Sequence, residues 1–222
     1  MKKGLVVVGI LSFLLAGCST TGSSAKETDP EVQEISVSLP AELTTLDTTQ
    51  TTDKVTFTVI QHLFEGSYRF DEKSQPVPGL AEEAVISEDG KTYTFKLKEE
   101  AKWSDGQQVQ AADFAYAWKK LVDPKTMGPN AYLLDNVVNS QDIREGKADI
   151  ATIGLETPDE KTFVVHLEQL QPSFLSLVSI GWLAPQRQSY VEEKGTAYGK
   201  TSEDLLYTGP FILKDWQQTG AE

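Results

Sequence analysis

The sequence predicts an α+β fold, and three observations carry that prediction. Two stretches alternate apolar and polar residues on either side of a turn, as hairpins do. One stretch between them repeats apolar residues at helical spacing. Pro or Gly closes the helical runs.

Taken in order, "EISVSLP" (34–40) puts Ile35, Val37 and Leu39 on one face and predicts a first strand. The threonine-rich stretch 43–52 has no period and reads as a loop. "VTFTVIQHLFEGSYRF" (55–70) is ambiguous by period. Phe57, Ile60 and Phe64 fall near helical spacing, which favours a helix ending before Gly66. "SYRF" then begins a strand, and "DEKSQPVPG" reads as turns.

The first hairpin, "AVISEDGKTYTFKLKE", sets Asp89-Gly90 between alternating segments and aligns Tyr93, Phe95 and Leu97. The second, "TIGLETPDEKTFVVHLEQ", repeats the design with a turn expected at Pro158-Asp159 and with Phe163, Val165 and Leu167 on one face. Both second strands open Lys-Thr-aromatic, which is shared hairpin chemistry and too few copies for a solenoid.

Between the hairpins, Phe114, Ala117, Trp118 and Leu121 recur at i, i+3, i+4 and i+7 and predict an amphipathic helix. Asp113 suits its positive end and Lys119 and Lys120 its negative end, and Pro124 stops it. Gln110 is a weak residue type for its N-cap. Pro172 opens a further helix through Phe174, Leu175 and Val178. Gln186–Lys194 predicts a third, closed by Gly195, and "GPFILKDW" (209–216) returns to a strand pattern.

The amino terminus carries a separate message. Lys2 and Lys3 precede an apolar run, Leu5–Leu15, that is too short to span a bilayer, which needs roughly 20 apolar residues. A charged start, a short apolar run and small residues before a cut site describe an export signal. Leu15-Ala16-Gly17-Cys18 resembles the bacterial lipobox, which implies cleavage between Gly17 and Cys18 and acylation of the Cys18 thiol. The alternatives are a plain secretory signal with an incidental cysteine, or a buried structural cysteine. Residues 22–34 are polar and poor in aromatics and read as a tether.

Composition excludes some partners. The chain has 222 residues and a formal charge of −13, and signal cleavage removes two lysines, leaving a more acidic mature chain. Such a chain is repelled by phosphate backbones and by anionic lipid headgroups, so nucleic acid is not an expected partner and a lipid must do the anchoring. Cys18 is the single cysteine, so a hydrophobic core and not a disulfide must hold the fold.

Little in the sequence suggests catalysis. His62 and His166 have no metal-ligand spacing to each other or to acidic residues, and no cofactor or metal is implied. There is no phosphate loop and no G-x-S-x-G elbow. "WSDG" (103–106) reads as a turn after a strand, with Trp103 in the core, and Glu82-Glu83 and Glu192-Glu193 as solvated faces.

Three segments, in this order and spacing, resemble the solute-binding proteins of oligopeptide ABC transporters, the peptide/nickel-type family 5. They are "EG" followed by a strand and "PGLAE" (78–82); the hairpin running into "AKWSDG", then "AADFAYAW" and "LVDP"; and "YTGPFILKDW" (207–216). The resemblance runs from about Ile35 to Trp216. It implies the N-terminal part of a two-lobed, type II periplasmic-binding-protein-like fold of the peptide-binding class, with the second lobe absent. It also implies a division into signal peptide (1–17), tether (18–34), main lobe (35–69), extra subdomain (70–171) and return to the main lobe (172–222). The function implied is capture of oligopeptides for ABC permease subunits at the outer face of the cell membrane, in a lipid-anchored, Gram-positive manner, without enzymatic activity. Members of the family are more than twice as long, so the chain is expected to be a fragment. The segment before "LFEG" and the return turn are the parts expected to face the ligand, which nominates Thr56, Phe57, Thr58, Thr208 and Gly209. A peptide-signal receptor of the same fold, an inactive truncated product and a surface hydrolase stay open as alternatives. Other cargo, such as nickel, haem or sugars, also stays open.

Overall fold

The computed structural model describes residues 34–216. In chain order these form α1 (Lys54–Leu63), β1 (Tyr68–Phe70), β2 (Pro76–Pro78), β3 (Ala81–Ile86), β4 (Thr92–Leu97), α2 (Ala111–Val122), α3 (Ser140–Arg144), β5 (Leu155–Asp159), β6 (Thr162–His166), α4 (Phe174–Leu177) and α5 (Gln188–Lys194), with short 3₁₀ turns between them. The α+β class is the expected one. The lipobox, the tether and Cys18 lie outside the described residues.

The two hairpins join into one antiparallel sheet of order β3-β4-β6-β5. Tyr93 faces Val165 and Phe95 faces Phe163 across the central pair. Alternation therefore puts Tyr93, Phe95, Leu97, Phe163, Val165 and Leu167 on one buried face. The apolar stripe of α2 covers that face. Phe114 stacks on Phe163 at 5.5 Å between ring centroids, and Trp118 meets Phe163 edge-on at 5.1 Å. The Trp118 Nε1–H donates to Leu183 O at 2.9 Å, so the largest buried side chain leaves no polar atom unpaired. A second apolar cluster gathers Leu43, Leu46, Ile60, Leu63, Phe64, Val191, Tyr198, Leu205 and Tyr207 around α1 and α5.

α2 starts despite its weak cap residue because Asp113, three residues in, reaches back and accepts the Gln110 N–H at 2.9 Å. The same Asp113 oxygen accepts the Trp103 indole N–H at 3.1 Å. The "WSDG" turn is thereby fastened to the helix start, with Gly106 at φ +84 closing it.

Four expectations are corrected. Glu34–Pro40 joins no sheet, and Ile35 and Val37 are 66% and 71% exposed. A strand exists through its ladder, and no strand among the described residues pairs with this one. The "GPFILKDW" segment likewise joins no ladder. Its first amides go instead to carbonyls of α1, Gly209 N–H to Leu63 O at 2.9 Å and Phe211 N–H to His62 O at 3.3 Å. The second hairpin turns at Glu160-Lys161, because Asp159 pairs with Thr162 and its carboxylate accepts the Lys161 N–H and the Thr162 hydroxyl. Pro158 is carried on β5, an edge strand whose register shifts there, so its missing N–H breaks no ladder bond. Finally, "QPVPG" supplies β2, paired with β1 through Phe70↔Pro76 and Tyr68↔Pro78.

Candidate functional site

The residues expected to face the ligand converge on α1, which is held at its start by its own cap residue and at its end by a distant part of the chain. At its start Asp53 is the cap, accepting the Thr56 N–H at 2.8 Å and the Thr56 hydroxyl at 2.7 Å. Burial works against the Asp53 charge, yet the Thr56 bonds prevail and hold its carboxyl below the ordinary carboxylate value. Thr56 is fully buried and its hydroxyl is given to this cap. Its hydroxyl therefore supports the start of the helix. Phe57 is half-buried against Trp182, with ring centroids 4.7 Å apart. Thr58 is exposed and returns its hydroxyl to Lys54 O.

The opposite end of α1 leaves carbonyls without intrahelical partners, as every helix does. Here the return turn supplies the donors. Besides the Gly209 and Phe211 amides, the Thr208 hydroxyl accepts the Glu65 N–H at 3.0 Å and donates to Glu65 O at 3.2 Å. Gly209 has to be glycine for reasons of space. A Cβ there would stand 2.6 Å from the Leu63 carbonyl carbon and 2.7 Å from His62 O.

A groove of about 640 Å³ lies beside this junction, walled by Gln61, His62, Glu65, Arg69, Ser179 and the Thr208–Pro210 turn. Burial pushes the Glu65 carboxyl above its ordinary value, and Arg69, 3.2 Å away, offsets part of that. The groove mixes polar walls with apolar ones, Phe64 and Phe70 among them, and carries both signs of charge. It offers hydrogen bonds and no single strong field.

The arm before α1 is held separately. Asn130 Nδ2 donates to Thr51 O at 2.7 Å, and Gln50 Nε2 donates to Thr126 O. These bonds set the 126–130 turn beside the arm, where Met127 is 81% exposed at φ +50. The Thr51 hydroxyl is buried with no partner among the described residues. The structure thus brings Thr208 and Gly209 to one end of α1 and puts Phe57 and Thr58 on its side. Sequence reasoning missed Trp182, Asn130 and Gln61, whose Oε1 accepts the Gly181 N–H at 2.6 Å. Nothing local in the sequence marks them, since each acts across a long separation in the chain.

No reactive constellation forms around these groups. His62 Nδ1 donates to Thr58 O, and His166 bridges Thr92 and Glu156 on the sheet. Ser104 accepts the Tyr207 N–H and donates its own N–H to Tyr207 O, a structural stitch. Among the described residues no group of three or more His, Cys, Asp or Glu could hold a metal. No helix among them is long and apolar enough to cross a membrane.

Comparison with known proteins gives concordant results. Residues 75–221 match the model of the bacterial extracellular solute-binding proteins, family 5 Middle. A dipeptide-binding protein of Lactococcus lactis is 36% identical over 208 residues, covering 94% of this chain and 36% of that protein. The substrate-binding domain of an oligopeptide ABC transporter from Bacillus anthracis superposes with a TM-score of 0.78 at 40% identity, covering 80% of this chain and 34% of that one. The pheromone receptor PrgZ superposes with a TM-score of 0.78 at 35% identity, covering 84% and 36%. The chain therefore spans about a third of the length of these relatives, whose names describe binding proteins and not enzymes. By the match over most of its length, the chain belongs to the bacterial extracellular solute-binding proteins of family 5.

Proposed function

We propose that the protein is the substrate-binding component of an ABC importer and captures oligopeptides outside the cell. The observation that carries this reading is the 0.78 TM-score at 40% identity to an oligopeptide transporter's substrate-binding domain, reached over 80% of the chain. The α1 region supports it physically. A helix fixed at both ends, flanked by exposed Thr58, the Thr208–Gly209 turn and a groove of mixed polar and apolar lining, gives one firm wall. Such a wall can donate to and accept from a peptide main chain while a second lobe closes over it. Phe57, Thr58, Thr208 and Gly209 belong to that wall, and Thr56 sustains it from inside. Residues 35–69 and 172–222 form the main lobe in this reading, and 70–171 the subdomain packed on it.

Retention at the membrane follows from the lipobox. Cleavage between Gly17 and Cys18 and acylation of Cys18 hold the receptor beside its permease subunits, at the outer face of the membrane. Cys18→Ala should abolish fatty-acid labelling and accumulate precursor; undiminished label in the variant refutes the anchor.

Isothermal titration of the intact protein, unfolded and refolded to strip bound ligand, tests capture directly. A mixed pool of short peptides should release or absorb heat, and silence with every pool defeats the proposal. The likeness to PrgZ favours a second reading, a receptor for a peptide signal. That reading requires one short peptide to bind roughly 100-fold better than the pool, about 2.7 kcal/mol.

A further inference from the structure

We infer that Asp47 is a positioning residue for the ligand-facing wall: its buried carboxylate ties the arm before α1 to α2 and to the Gln186 segment, and so sets where α1 begins. The inference rests on the reading above for the word ligand, and on geometry for the rest. Asp47 Oδ1 accepts the Thr49 N–H at 3.0 Å, the Thr49 hydroxyl at 2.8 Å and Gln186 Nε2 at 2.9 Å. Its Oδ2 accepts Lys120 Nζ at 2.8 Å. Three donors therefore share Oδ1 and the ammonium takes Oδ2, so four donors meet on this one carboxylate. Lys120 is shared in turn, donating to Gln186 Oε1 at 3.0 Å and lying 5.0 Å from the Tyr198 ring centre. Gln186 Nε2 also donates to the Thr48 hydroxyl, and Gln186 is only 1% exposed.

Three separate parts of the sequence meet on this one carboxylate, in a loop that has no ladder and no helix of its own to hold it. The arm is held again downstream by Asn130 on the Thr51 carbonyl, and four residues past the Thr49 bonds Asp53 caps α1. A half-satisfied buried network is worse than none, so loosening Asp47 should free the arm as a unit. Asp47 itself is buried, and its carboxylate is committed to four donors of the protein. Its influence on a ligand therefore runs through the arm and α1, not through contact.

Asp47→Asn tests this, because the new amide points donors at the Lys120 ammonium. Hydrogen exchange of the intact protein should rise about tenfold or more at the amides of 48–53, while those of β4 and β6 stay as in the wild type. Affinity for a defined peptide pool should fall about tenfold in the same variant. The double variant Asp47→Asn/Lys120→Gln replaces the ion pair with an amide pair, and it should return both readouts toward wild type. If Asp47→Asn does not fold, Thr49→Val removes one acceptor bond and keeps the charge pair, with the same pattern expected at smaller size. Unchanged exchange in the arm overturns the inference, and so does a loosened arm with undiminished affinity. Failure of the wild-type protein to bind any peptide defeats the functional reading alone, since the exchange comparison still decides whether Asp47 holds the arm.

Discussion

Gly209→Ala offers the sharpest test of how α1 is held. The Cβ would sit 2.6 Å from Leu63 C, 2.7 Å from His62 O and 2.8 Å from Phe64 N, and all three are backbone atoms of the helix end. No side chain can swing aside to make room. Either the turn retreats, losing the Gly209–Leu63 hydrogen bond and straining the Thr208–Glu65 pair, or the helix end frays. Overpacking costs about 1–3 kcal/mol. Each lost hydrogen bond adds about 0.5–1.5 kcal/mol. The expected destabilisation is therefore about 2–4 kcal/mol. Gly106→Ala is the control: its φ of +84 penalises any Cβ, but nothing lies within 4 Å of the added atom. The left-handed backbone alone costs roughly 1–2 kcal/mol. Urea unfolding of the two variants, read as the shift in midpoint at constant slope, separates the cases. A Gly209→Ala cost equal to or below that of Gly106→Ala refutes the claim that the return turn is pressed onto the helix end.

Three further outcomes are expected. Asp53→Ala should cost about 1 kcal/mol at pH 7 through loss of the cap. Because the folded Asp53 value is depressed, its contribution is present above the ordinary carboxylate pKa and lost as pH falls through the folded one. The gap in urea midpoint between variant and wild type should accordingly begin to narrow only below about pH 4 and go on narrowing as the pH falls through the depressed folded value. A gap that stays constant on further acidification contradicts the assignment. Asp113 has the opposite sign. Burial raises it, outweighing the bonds from Gln110 and Trp103, so the folded state prefers the proton and stability falls as pH climbs from the unfolded value through the raised one. Asp113→Asn should erase that slope and change stability at pH 7 by less than about 1 kcal/mol, since one amide oxygen can accept both donors now on Oδ2. Asp113→Ala strands the indole and the Gln110 amide and should cost about 2–3 kcal/mol. Trp118→Ala, from the centre of the sheet–helix core, should cost about 3–5 kcal/mol in the same unfolding assay, and a loss under about 1 kcal/mol would place the core elsewhere.

What was legible in the sequence divides by range. The sheet and α2 were legible because alternation and the Phe114–Leu121 stripe are local consequences of burying one face. The turn of the second hairpin was misplaced because Pro158-Asp159 looks like turn chemistry, whereas Asp159 closes the loop from its first position with two side-chain bonds. The two extended ends, 34–40 and 209–216, have the pattern of strands, but pattern cannot supply a ladder partner. In the candidate site, motif resemblance nominates Thr208 and Gly209, and the fold sets both against the end of α1. It does not nominate Trp182, Asn130 or Asp47, since their partners are Phe57, Thr51 and Lys120, brought near only by the completed fold.

That division bears on how such a wall works. α1 has ten residues, too short to be stable by itself in water, where about 12–15 are already marginal. Its own propensity is poor as well, with Val55, Val59 and Ile60 β-branched and Thr56 and Thr58 added to them. The helix exists because Asp53 satisfies its first turn, residues 208–211 satisfy its last, and Ile60 and Leu63 are buried below. The first-turn support is local, while the last-turn support comes from a stretch far along the chain. On the proposed reading, a peptide held at Thr58 or at the Thr208–Gly209 turn would pull against a packed unit, leaving little ordering cost to be met on binding. A receptor that recognises the shared main chain of many peptides needs that stiffness, because side-chain pockets roomy enough for any residue contribute little orientation of their own.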